Sequence, residues 1–230
     1  MKRVEGAMYR SGARFLFESV EGLVCAVGVF VTWPLSKHWL ANWGSTRDEQ
    51  SGTWKGDSFV NDPEVTNTRA VTIAAAPGRV WPWIVQFGLG RAGFYSYELL
   101  ERAVGIPVRN IESVLPQFQA LRVGDEIRLH PAAPGVPVAD ICAHRHVCFG
   151  VSKELEERFE RPDPARSWSM YLVPRGANAT RLILRSCIEP LRRTTLGRRV
   201  GRAVEEPIDF IMEQRMLRSL RRLAEMQPGA

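Results

Sequence analysis

The sequence lacks the G-x-S-x-G, H-E-x-x-H and P-loop patterns, which removes the commonest warrants for a serine hydrolase, a zinc protease or a nucleotide hydrolase. Cysteine is scarce as well. Four cysteines with no C-x-x-C pair exclude a disulfide scaffold or a zinc ribbon and point to a reducing compartment. Charge of one sign is not dominant: 31 basic against 25 acidic residues leave +6, a balance that suits an anionic membrane or an acidic ligand and makes nucleic acid an unexpected partner. Internal repeats and low-complexity tracts are missing, so solenoid and array architectures are excluded. Gly88-Leu89-Gly90-Arg91-Ala92-Gly93 has the letters of a dinucleotide fingerprint but follows a helical segment and lacks a βαβ unit. Nucleotide binding is therefore rejected, and no cofactor is expected.

What is present begins with an uncharged run, Gly22 to Trp33, inside a stretch from Phe15 to Leu35 broken only by Glu18 and Glu21. Twelve residues are too few to span a bilayer, but with its flanks the segment reaches the ~20 that a spanning helix needs. Trp33, Trp39 and Trp43 resemble an interfacial aromatic belt, and Lys2, Arg3, Arg10 and Arg14 precede the run. Three readings stay open: a single-pass anchor, a helix lying on a membrane or on the domain, and a signal sequence. Membrane association is the expected localisation, with the cytoplasm as alternative.

Along the chain, residues 1–40 read as an N-terminal extension and the polar, turn-rich 41–66 as an extended connector. Residues 67–227 hold the folded domain. Arg69 to Ile73 predicts a strand, Ala76-Pro77 opens a helix, and a second helix is expected from Tyr95 to Val104, ended by Gly105-Ile106-Pro107. Period-2 alternation then predicts strands over 125–130, 136–142, 147–151, 168–173 and 180–188. A long helix from Glu206 to Met226, entered through Pro207, closes the chain. This order implies an α+β fold in which the last helix covers a curved antiparallel sheet.

At 100° per residue, Ile208, Met212, Met216, Leu220 and Leu223 share one sector of that helix, and Arg215, Arg218, Arg221 and Arg222 share another. The arginines form a basic face, either solvated or in contact with lipid headgroups or an acidic partner. Asp209 and Glu213 fall inside the apolar sector, where a helix meant only for packing would carry no charge. Such carboxylates pair with an inward arginine, contact a ligand, or exchange protons.

Cys142-Ala143-His144-Arg145-His146-Val147-Cys148 is the one metal-like string. As a straight strand it would hold its cysteines ~20 Å apart, and only a hairpin turn at His144-Arg145 would bring them together. An ordinary hairpin is the favoured reading, so no metal is expected. Arg128 and His130 read as outward residues of their strand.

Thr68–Ile73 with Ala76-Pro77, Val80–Gln86 and Gly88–Tyr97 resembles the opening of START-like proteins of the SRPBCC superfamily, the helix-grip group that includes Bet v 1-like binders and polyketide cyclases. Val123-Gly124-Asp125, Trp168-Ser169, Arg181-Leu182 and Glu206–Leu217 resemble the family's later elements. The resemblance implies an apolar cavity between sheet and last helix, with Trp81, Trp83, Phe94, Tyr95, Tyr97, Asp209, Met212, Glu213 and Met216 as candidate ligand contacts. It implies binding or carrying of a hydrophobic small molecule, lipid-, polyketide- or isoprenoid-like. The alternatives are a cyclase- or dehydratase-type enzyme using Asp209, Glu213 or Tyr97, and an accessory protein that docks on a membrane or partner through residues 15–35 and the Arg215/Arg218/Arg222 face.

Overall fold

The structure is a computed structural model describing residues 12–190 and 196–226. The early basic residues Lys2, Arg3 and Arg10 lie outside the described residues, as does the Pro228-Gly229 stop.

Six strands form one antiparallel sheet: β1 (Val65–Ile73), β2 (Glu126–Ile127), β3 (Val136–Cys142), β4 (His146–Phe149), β5 (Arg166–Pro174) and β6 (Thr180–Ile188). Their spatial order is β1-β6-β5-β4-β3-β2. Alternation sends Val71, Ile73, Met170, Leu172, Leu182, Leu184, Val147 and Phe149 to the inner face. Ala70, Cys148, Tyr171 and Ile183 go to the outer one. The inner face is covered by α3 (Pro77–Val85) and by the long α5 (Leu196–Met226), the arrangement of a helix grip.

The polar segment read as an extended connector folds against the outer face instead. Thr46 and Glu49 form a capping box that starts α2 (Arg47–Ser51), and a 3-10 turn follows at Lys55–Phe59. Glu49 accepts two hydrogen bonds from Arg181 at 2.8 Å, Asp57 accepts one from Arg185 at 2.7 Å, and the Gly56 N–H donates to the Tyr171 hydroxyl. Trp54 and Phe59 thereby cover the outer apolar cluster.

Three other expectations are corrected. The helix α4 covers only Glu98–Ala103, because Tyr95 has φ of 57°, outside any helix, and Tyr97 is the N-cap. Arg128 and His130 lie beyond β2, since Pro131 and Pro134 follow and cannot donate to a ladder. α5 begins at Leu196, well before Glu206, so Pro207 sits inside it. Leu, Arg, Ala and Glu supply most of the upstream turns despite Gly197 and Gly201, and one missing ladder bond does not stop the helix.

The N-terminal helix α1 (Gly12–Ala41) lies along the domain, against α5, α4 and β1. Its first turns place Arg14 beside Glu18 and Glu112, while Arg215 of α5 pairs with both Glu18 and Glu21. Gly22 meets the ring of Tyr97 so closely that a Cβ there would stand 3.0 Å from it. Val29 packs on Phe210 and Ile211, Lys37 reaches Glu206 at 3.0 Å, and the Leu40 carbonyl accepts from Arg69. Gly44 then turns the chain with φ of 72°, hard against the Ala70 carbonyl, where any side chain would collide. Gly12–Trp33 is, among the described residues, the one helical segment long and apolar enough to cross a membrane, a property that core helices of soluble proteins share.

Candidate functional site

A cavity of about 360 Å³ lies between the inner sheet face, α4 and α5. Its size falls within the ~300–1,000 Å³ range of small-molecule sites. Phe87, Phe94, Phe149, Trp168, Ile188, Ile208, Met212 and Met216 supply most of its wall, and Val104, Ile106, Leu129 and Val136 complete the apolar part. The Trp168 ring stands between those of Phe87 and Phe149, tilted against each, with ring centroids 5.1 and 5.4 Å away. Against this apolar lining stand three carboxyl groups: Glu101, Asp209 and Glu213.

Each carboxyl group has a different setting. Glu213 joins the buried guanidinium of Arg69 in an ion pair and accepts from the Trp168 indole N–H at 2.9 Å. Glu101, only 6% exposed, accepts from the Ser96 hydroxyl at 2.6 Å. Burial pushes its pKa up to about 7, with the serine bond pulling the other way. Asp209 makes no hydrogen bond to any described residue. It is half-buried and lines the cavity. Burial first, and the Glu213 carboxylate second, push it up to about 7, while Arg69 and Arg166 oppose the shift. At neutral pH both groups are poised between a neutral acid, which donates a hydrogen bond, and a carboxylate, which accepts one or takes a proton.

Of the expected ligand contacts, Phe94, Asp209, Met212, Glu213 and Met216 line this cavity together. Trp81, Trp83, Tyr95 and Tyr97 do not. Trp81 meets His144 edge-on, and Trp83 packs on Tyr95. The Tyr95 hydroxyl is committed: it donates to the Trp83 carbonyl at 3.0 Å and accepts from Gln86. Tyr97, 2% exposed, is clamped between Gly22 of α1 and the Arg215 guanidinium, 5.2 Å from its ring centre. Burial raises both tyrosines far above their ordinary pKa, which suits packing residues. Aromatic rings on the short helices were the signal, and most of it reports core.

Residues that sequence reasoning left out are Glu101, Arg69, Arg166 and Phe87. Arg69 had a legible cue, an arginine sharing the period-2 face of Val71 and Ile73. Glu101 had none, because a glutamate on a six-residue helix reads the same whether solvated or buried.

Of the four α5 arginines, Arg215 and Arg222 face an internal interface and Arg218 and Arg221 stay on the surface. Arg215 is held by Glu18 and Glu21, and Arg222 by Glu112 at 2.7 Å; Arg218 lies over the Trp43 ring, and it and Arg221 remain exposed. In the β3–β4 hairpin the turn does fall at His144-Arg145, pairing Cys142 with His146 and Asp140 with Cys148. Asp140, His146 and Cys148 gather on the outer face, with His146 Nε2 3.0 Å from Asp140 and Lys55 3.9 Å from the same carboxylate. All four cysteines are free. Gly88 and Gly93 of the glycine-rich segment bridge one another in a loop after α3.

No protein-family model and no curated protein matches this sequence. Solved structures with a similar outline include a Mesorhizobium loti protein at 13% identity, covering 72% of this chain and 100% of that one, with a TM-score of 0.38. A Chromobacterium violaceum protein shares 17% identity over 70% of this chain and 99% of its own, at 0.39. DynU16, a protein of the dynemicin biosynthetic locus, shares 17% over 69% of this chain and 48% of its own, at 0.35. Likeness at this level carries no argument about activity, and the fold assignment above rests on this chain's own strand order and helix placement.

Proposed function

We propose that this protein is a START-like member of the SRPBCC superfamily that binds a hydrophobic small molecule in the α5 cavity and works in association with a membrane. The observation that carries the reading is an apolar chamber of about 360 Å³ with one carboxyl group, Asp209, directed into it without a protein partner. A carboxyl group on an apolar wall with no protein hydrogen bond is costly to desolvate unless something else satisfies it, and a ligand hydroxyl, carbonyl or amine does so. The motifs from Thr68 to Leu217 support the superfamily, and the exposed apolar surface of α1 supports the membrane.

The test is native mass spectrometry of the protein extracted from its own host in mild detergent, with identification of any co-purified molecule. One hydrophobic ligand per chain, lost in Asp209→Leu or in a variant that fills the chamber, is the expected result. A chamber that stays empty after incubation with extracted host lipids and small molecules refutes the proposal.

A second reading is favoured by one observation. Two carboxyl groups near pKa 7 on one cavity are placed for general acid and base work, as a cyclase or dehydratase requires. Asp209 and Glu101 are then the proton-transfer groups. Turnover of the co-purified compound that vanishes in Asp209→Asn, with binding kept, selects this reading over the carrier.

A further inference from the structure

α1 places its charges and part of its apolar surface against the domain and leaves a second, wider apolar face uncovered. Its three charged residues before Leu35, namely Arg14, Glu18 and Glu21, all turn toward the domain and are engaged there by Arg215 and Glu112. Val29, Trp33 and Leu40 pack on the domain, but nine large apolar side chains turn away: Leu16, Phe17, Val20, Leu23, Val24, Val27, Phe30, Val31 and Leu35 are exposed, Leu35 almost wholly. At 100° per residue these nine side chains occupy an arc of about 140°, continuous over about 30 Å of helix.

A second protein chain is a poor match for this face. A helix partner is read by a narrow apolar seam flanked by charges that set orientation. Here the positions that flank the Leu16–Val31 part of the face are Ser19, Ala26, Gly28, Glu21 and Thr32, and the one charge among them, Glu21, is engaged by Arg215 within the domain. A bilayer needs no such code, and it accepts a wide arc. Trp39, Lys37 and His38, all exposed just past the apolar run, are residues that settle at the headgroup level. The chain's net charge of +6 is complementary to anionic lipid.

Geometry then decides between crossing and lying flat. The domain grips α1 from its first turn, through Arg14 and Glu112, to its last, through Arg69 and the Leu40 carbonyl. A crossing helix would either carry α5 and its exposed Arg218 and Arg221 into hydrocarbon, or pull away and leave Arg215 buried without Glu18 and Glu21. We infer that α1 is an in-plane membrane helix, which stays docked on the domain and sinks its Leu16–Leu35 face into the acyl boundary of one leaflet. This inference rests on the proposed membrane association and adds its topology.

Two measurements on the full chain separate the claims. In flotation with phosphatidylcholine vesicles doped with phosphatidylglycerol, the wild type should rise with the lipid. Val24→Glu/Val27→Glu should stay behind while melting at an unchanged temperature, since both positions face outward. A wild type that does not float overturns the membrane association itself, as does one that sediments as a dimer dissolved by the same double variant. For topology, cysteine probes at Leu16, Val24 and Val31, in a background where the accessible Cys25 and Cys142 are both changed to Ser, should be quenched by lipid-borne quenchers at one shallow depth. A deep middle position with shallow ends means a spanning helix, and overturns the in-plane arrangement while leaving membrane association intact.

Discussion

Replacing Asp209 by Asn should stabilise this protein at pH 8 and leave it nearly unchanged at pH 4. The folded-state pKa stands at about 7 against an ordinary 3.8, so the folded protein holds a proton that the unfolded chain gives up earlier. A raised pKa of this kind contributes stability that is fully present below about pH 4 and is lost as pH rises through 7. Three units at about 1.4 kcal/mol each set a ceiling of about 4 kcal/mol, and water admitted to the cavity reduces the expected loss to roughly 2–4 kcal/mol. Asparagine keeps the shape and hydrogen-bonding capacity of the neutral acid without the titration. In urea, with a slope of about 2–3 kcal/mol per molar for a chain of this size, the midpoint of the variant should exceed that of the wild type by about 1 M at pH 8. Comparing the two proteins at each pH cancels the titrating groups that do not interact with Asp209. A gap that does not grow between pH 4 and 8 refutes the buried, unpaired assignment. An Asn variant that is weaker at pH 8 would mean that Asp209 is ionised and paired in the fold.

Other perturbations follow from the same geometry. Glu213→Gln, which leaves the buried Arg69 guanidinium without its counter-charge, should cost about 3–5 kcal/mol in chemical denaturation. Arg69→Met with Glu213→Leu should recover most of that loss. Ser186→Leu directs a larger side chain into the cavity and should lower ligand occupancy in native mass spectrometry at least tenfold, for a stability change within about 1–3 kcal/mol. Glu49 has its pKa held below the ordinary glutamate value by Arg181 and the Thr46 cap, although burial opposes them. It therefore contributes stability above about pH 4.5 that is lost as pH falls, and Glu49→Ala should remove that acid-sensitive part and raise protease cleavage within 44–64.

The sheet and its helices were legible because their signals are local. Alternation over 136–142 and 180–188 matches β3 and β6, and Pro77 at a helix start matches α3. Proline misled at 207, where the surrounding residues carry the helix through it. The segment 41–66 was misjudged for the opposite reason: its polar residues look solvated in sequence, yet Glu49 and Asp57 are polar because they meet Arg181 and Arg185 across the chain. The carboxylates of α5 stood out as charge in an apolar sector. Glu101 and the inward turn of Glu18 and Glu21 depend on tertiary neighbours far away in sequence, and no period reveals them.

Arg69 ties these distant parts into one mechanical unit. Its side chain donates on one side to the final turn of α1, at the Leu40 carbonyl, and on the other to Glu213 on the cavity wall. One residue thus stands between whatever occupies the chamber and the helix on the outer surface. Under the proposed binding function, a ligand that draws Glu213 toward itself would slacken the hold on the end of α1, and a shift of α1 would act on the chamber in return. The end of α1 and the cavity wall are thus held by the two ends of a single guanidinium.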